Sequence, residues 1–184
     1  MKPATPDGAV KDALEMLKID HAQIRALFRE FDGLKGSGGA HRRKGELVDA
    51  ICHALTVHSM IEEEIFYPAL RAAGGADDDE LLDEADIEHA GARELIGQLD
   101  IMVPGDDHYD ATVTVLGEEV LHHIDKEESE LFDLARQAGL ALDALGRRLA
   151  ARKEELEDDL TSPPSTLEAM QPHERMRRQP RAPN

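Results

Sequence analysis

His58-Ser59-Met60-Ile61-Glu62-Glu63-Glu64-Ile65-Phe66 is the stretch that decides how this chain is read. A histidine and a glutamate stand four residues apart in it. On a helix that spacing sets both side chains on one face, about 5–6 Å apart. An imidazole nitrogen and a carboxylate oxygen so placed can reach one metal ion or a metal pair. The pattern returns at His123-Ile124-Asp125-Lys126-Glu127, followed by Glu128, Ser129, Glu130, Leu131 and Phe132.

Around both copies apolar residues recur in alternating steps of three and four, the period of a helix with one buried face. A helix is expected from about Arg42 to Ala72, with the seam Val48, Ile51, Leu55, His58, Glu62, Ile65 and Ala69. Pro68 falls late in it and is expected to kink or fray the last turn. Another is expected from about Asp110 to Ala138, with the seam Val113, Leu116, Val120, His123, Glu127 and, less cleanly, Leu131 and Leu134. Before the first comes a helix from about Ala9 to Leu34, seamed by Leu14, Leu17, His21, Ile24, Phe28 and Phe31. Between the two lies one starting at Asp77, which reads as an N-cap with Glu80 three residues on. Its seam is Leu82, Ala85, His89, Ala92, Ile96 and Leu99, and Pro104-Gly105 closes it. A fifth, charged helix spans about Ala141 to Glu157 and is expected to pack outside the others.

Four seamed helices with short connections make an all-α, up-down-up-down four-helix bundle, with the extra C-terminal helix beside it. Residues 1–160 read as one domain. The Pro- and Arg-rich segment 161–184, with Arg175, Arg177, Arg178 and Arg181, reads as an unpacked tail.

Composition agrees with helices. Aromatic residues make up 3% of the 184 and there is no Trp, so Leu, Ile, Val, Ala and Met must build the core. The formal net charge of -18 disfavours nucleic acid or an anionic membrane as partner, because phosphate binding needs a basic surface. The lone Cys52 allows no internal disulfide, and no apolar run resembles a leader or a membrane span. A cytoplasmic location is expected.

The two halves repeat each other. Ile19-Asp20-His21-Ala22 with Arg25 and Leu27 matches Ile87-Glu88-His89-Ala90 with Arg93 and Leu95. Each half therefore carries a lone histidine on its first helix and His-x-x-x-Glu on its second. The bundle is expected to be two helical hairpins related by a pseudo-two-fold axis. His21, His58, His89, His123, Glu62 and Glu127 all point inward near mid-bundle. An unpaired buried carboxylate costs several kcal/mol, and bound cations remove that cost. Four imidazoles and two carboxylates suit two transition-metal ions, with Glu62 and Glu127 bridging them.

On these residues, over about 9–157, the chain resembles the hemerythrin-like (HHE cation-binding) family. The resemblance implies that the six residues ligate two iron ions with an oxo or hydroxo bridge. It implies an open iron position for oxygen, nitric oxide or a peroxide, with the redox partner unknown. Arg93 stands where the oxygen-carrying hemerythrins have a further histidine, and Glu127 where they have an aspartate. That places the chain nearer the bacterial hemerythrin-like proteins that handle oxygen, nitric oxide, peroxide or iron. The alternatives are an iron homeostasis or sensing module without turnover, and a zinc- or manganese-holding structural bundle.

Other polar residues have blander readings. Asp20 and Glu88 are either partners of the imidazoles or solvated acids. Arg25 and Arg93 are expected to pair with nearby carboxylates. Glu63, Glu64, Glu128 and Glu130 read as solvated faces, Cys52 as a packing residue, and Glu119 and His122 as flanking the seam. Tyr67 lies nine residues beyond His58, half a turn out of phase at 100° per residue, and is expected to face away from the site.

Overall fold

The computed structural model describes residues 11–36, 39–74 and 76–161. Among them there are helices and connections and no strand. The tail beyond Thr161 and the expected helix start at Ala9 lie outside the described residues.

α1 spans Ala13–Asp32. It begins at Asp12, whose extended backbone cannot continue the helix and whose carboxylate accepts from the Glu15 N–H at 2.8 Å. α2 spans His41–Ile61 and runs straight into a π-helical turn, Glu62–Phe66, and then α3, Tyr67–Ala73. α4 spans Ala76–Leu99, one residue ahead of the expected start. α5, Tyr109–Lys126, passes through a second π turn, Glu127–Leu131, into α6, Phe132–Gln137. α7 spans Leu142–Thr161. α1 packs along α2, α4 packs along α5, and α7 lies across α1 and α2. This is a four-helix bundle with a fifth helix outside it, as the seams require.

The π turns were not legible in the sequence. In each, the backbone N–H five residues after the glutamate closes on its carbonyl: Tyr67 on Glu62 and Phe132 on Glu127. Pro68 enters directly after the first, in the opening turn of α3, where a residue without an N–H is tolerated. The rod therefore continues to Ala73 instead of fraying. The second π turn ends on buried Leu131, and beyond it the buried positions are Phe132 and Ala135, while Leu134 is only half-buried, so the inserted residue shifts the seam.

Two apolar clusters form the core. One gathers Leu14, Leu17, Ile61, Phe66, Leu82 and Phe132 with Leu145, Leu149 and Leu156 of α7. The other gathers Ile24, Phe28, Ile51, Leu55, Leu116 and Val120 at the opposite end. The inward histidines and glutamates belong to neither cluster. Cys52 is half-buried against the second, and burial pushes its thiol up to about 12, which makes it an inert packing residue.

Candidate metal centre

All six inward residues are buried: His21, His58, Glu62, His89, His123 and Glu127 are each at most 6% exposed. Their atoms converge in two groups. His21, His58, Glu62 and Glu127 form one, and Glu62, His89 and His123 the other. Glu62 spans both, with Oε1 at 3.2 Å from His58 Nε2 and Oε2 at 3.4 Å from His89 Nε2. Glu127 joins the first group through Oε2, 3.1 Å from His21 Nε2.

The outer edges of the imidazoles explain the inner ones. His21 Nδ1 meets Glu128 Oε1 at 2.9 Å, His89 Nδ1 meets Glu63 Oε1 at 2.9 Å, and His123 Nδ1 meets Glu88 Oε2 at 2.7 Å. A carboxylate only accepts, so Nδ1 carries the proton and Nε2 presents a lone pair inward. Yet Nε2 of His21 lies 3.1 Å from Nε2 of His58, and the same 3.1 Å separates His89 from His123. Both oxygens of Glu62 and both of Glu127 lack a hydrogen-bond partner. Acceptors thus face acceptors in a buried space, an arrangement that a cation resolves. Two nitrogens held about 2.1 Å from one ion and at right angles lie about 3.0 Å apart, so the donor spacing fits.

Electrostatics agree. Burial pushes the His58 imidazole down to about 4 and lowers that of His123 as well, so both are neutral and ready to ligate. Burial, with the Glu127 charge beside it, raises the Glu62 carboxyl well above the carboxylate range. Burial also opposes ionisation of Glu127, but the close contact of its Oε2 with His21 outweighs it and holds that carboxyl low. Without a cation the two carboxyls cannot both ionise comfortably.

The pseudo-two-fold extends outward. Asp20 and Glu88, each preceding a lone histidine, face His58 and His123 of their own half, with Asp20 Oδ2 at 3.8 Å from His58 Nδ1. They are partners of the imidazoles, not solvated acids. Burial raises the Asp20 carboxyl, but the Lys153 ammonium bonded to Oδ1 and the His58 ring facing Oδ2 overcome that to leave it below its ordinary value. Glu63 and Glu128, expected to be solvated, instead hold the lone histidine of the opposite half, and this corrects the sequence reading. Arg93 and Arg25 make the expected ion pairs, with Glu63 and with Asp125 and Glu128. Glu119 and His122 are exposed and belong to neither ligand group.

Tyr67 was missed. Its hydroxyl lies 3.5 Å from Nε2 of both His89 and His123, and its ring stacks on His89 with centroids 5.6 Å apart. The π turn brings it there, because five residues span one π turn instead of overshooting an α turn by about 140°. Burial, with Glu127 and Glu62 nearby, raises the phenol well above its ordinary value, so it is a neutral donor. Its pseudo-two-fold mate is Phe132, which stacks on His21 at 5.8 Å. The two halves of the centre therefore differ.

Fold and site together define a helical-bundle protein with a buried histidine–carboxylate centre built for cations. A family model described as the hemerythrin HHE cation binding domain matches residues 12–135. The DNA nickase of Nostoc sp. (strain PCC 7120) is 30% identical over 123 residues, which is 66% of this chain and 33% of the nickase. The chain thus spans about a third of that relative's length. A crystal structure of a hemerythrin HHE cation binding domain-containing protein from Mycobacterium kansasii shares the fold, with a TM-score of 0.68 and 24% identity over 81% of this chain and 89% of that one. The chain belongs to the hemerythrin HHE cation-binding domain family. No helix among the described residues is long and apolar enough to cross a membrane.

Proposed function

We propose that the centre holds two iron ions joined by an oxo or hydroxo bridge and binds or reacts with oxygen, nitric oxide or a peroxide. His21 and His58 would hold one ion and His89 and His123 the other, with Glu62 and Glu127 as the carboxylates between them. The carrying observation is the convergence of four imidazole Nε2 atoms on two carboxylates whose four oxygens have no donor. Bound there, an iron pair supplies two accessible valence states and a coordination position for a small ligand.

The chain's own residues favour a small ligand at the second group. A cavity of about 30 Å³, with room for one or two waters, lies against His58, His89 and His123. Leu55, Ile96 and Val120 give it an apolar wall, which suits a diatomic or a peroxide. Tyr67 adds a neutral hydroxyl beside His89 and His123 that can donate. The nicking of DNA named for the Nostoc relative finds no support in a chain of net charge -18.

The test is metal content after anaerobic iron loading, with the near-ultraviolet spectrum on exposure to air. Two irons per chain and the absorption of an oxo-bridged ferric pair are expected. A colourless protein without iron overturns the reading.

A further inference from the structure

The carboxylates that orient His58 and His123 are each approached by a lysine, but from different places. In the second half Lys126 lies on α5 itself, one residue before Glu127; it bonds Glu84, and its Nζ stands 4.0 Å from Glu88 Oε1. The pseudo-two-fold mate of Lys126 is Ile61, fully buried in the apolar core. The first half thus has no lysine of its own at that position. The missing cation arrives from α7: Lys153 Nζ lies 2.5 Å from Asp20 Oδ1. Asp20 is 7% exposed, and its other oxygen faces His58 Nδ1.

α7 is seated to do this. Leu145, Leu149 and Leu156 enter the apolar cluster beside the centre. Gly146 lies so close to the start of α1 that an added Cβ would stand 2.4 Å from the Lys11 carbonyl oxygen. Arg152 clamps Glu64 through two nitrogens at 2.6 and 3.2 Å, one residue from the Glu63 that holds His89. Yet α7 begins at Leu142, beyond the segment 12–135 that the family model matches.

We infer that α7 completes the metal centre, with Lys153 acting as a positioning residue that holds Asp20 against His58. This rests on the proposed metal reading. Lys153 touches no ligating atom. Its ammonium fixes one oxygen of Asp20, which keeps the other turned to the His58 ring and so aims Nε2 at the ion. Asp is one methylene shorter than Glu88 and reaches its imidazole less closely, at 3.8 Å against 2.7 Å, so its orientation depends more on an outside hold.

The test titrates ferrous iron anaerobically into metal-free full-length protein against a competing chelator, for wild type and the variants Lys153→Met, Lys153→Arg, Asp20→Asn and Lys153→Met/Asp20→Asn. Loss of an outer partner typically weakens metal binding 10–100-fold. Lys153→Met is expected to weaken one of the two iron-binding steps by about tenfold and leave the other unchanged. Lys153→Arg restores most of it, and the double variant binds no more weakly than Asp20→Asn alone, because both changes break one chain of contacts. If Lys153→Met weakens both steps equally, or the two changes add, Lys153 acts only through overall stability and the inference fails. Two wild-type-like steps in Lys153→Met with α7 helical overturn it as well. Wild-type protein that binds no iron removes the metal reading itself, which is a different result. Should Lys153→Met fail to fold, Asp20→Asn and Lys153→Arg still decide, since the inference requires the first to weaken one step only and the second to spare both.

Discussion

Replacing Glu62 by Gln reverses the sign expected of an ordinary buried polar residue. Glu62 is 0% exposed, and neither of its oxygens has a hydrogen-bond partner. A buried acceptor left unsatisfied costs about 1–3 kcal/mol, and a charged one more. The amide has the same shape, carries no charge and can donate to the lone pairs of His58 or His89. Metal-free Glu62→Gln is therefore expected to be more stable than metal-free wild type by about 1–3 kcal/mol, or roughly 2–12 °C in Tm for a chain of this size. The effect has a pH signature. The Glu62 carboxyl is raised in the folded state, so its contribution is intact below the unfolded value near 4.5 and is lost as pH rises toward the folded value. The advantage of the variant should thus grow as pH rises above 4.5. Metal inverts the ranking. At a free metal concentration of 100 times Kd, wild type gains about 2.7 kcal/mol, roughly 5–11 °C, and the variant gains little. Thermal melts with and without ferrous iron, at pH 5 and pH 7.5, measure all of this. A metal-free variant that melts lower than wild type, with metal raising both equally, would refute the reasoning.

Four more outcomes follow from the same geometry. In the Glu62→Gln background, which removes the opposing carboxyl, the metal-free protein should lose stability as pH falls from 6.5 toward 4, because the unfolded chain protonates His58 first. The gap between 6.5 and about 4 corresponds to roughly 3 kcal/mol, read by urea denaturation; a flat profile would contradict it. Glu88→Ala frees the His123 ring and should weaken metal binding about 10–100-fold in chelator competition, with helicity unchanged. Tyr67→Phe removes the donor facing His89 and His123 and should lower metal-free stability by about 1 kcal/mol while retaining two metals per chain. Gly117→Ala would place a Cβ 3.0 Å from the Phe28 ring and should destabilise by about 1–3 kcal/mol in the same denaturation assay, with metal stoichiometry intact.

Periodicity along single helices was enough to place His21, His58, Glu62, His89, His123 and Glu127 on inward faces. A residue's face depends only on its count along a regular helix, and that information is local. The repeat of Asp20-His21 as Glu88-His89 likewise gave the pairing of the two halves before any coordinates. Contacts between helices were not available that way. Whether Glu63 or Glu128 meets solvent or an imidazole depends on the rotation and axial offset of a neighbouring helix, which no spacing within one helix contains. Tyr67 was misplaced for a different reason: the π turn at Glu62–Phe66 changes the number of residues per turn, and counting at 100° per residue fails across it. Lys153 could only emerge from the tertiary structure, because a separation of 133 positions from Asp20 carries no periodic relation, and only the docking of α7 brings the two charges together.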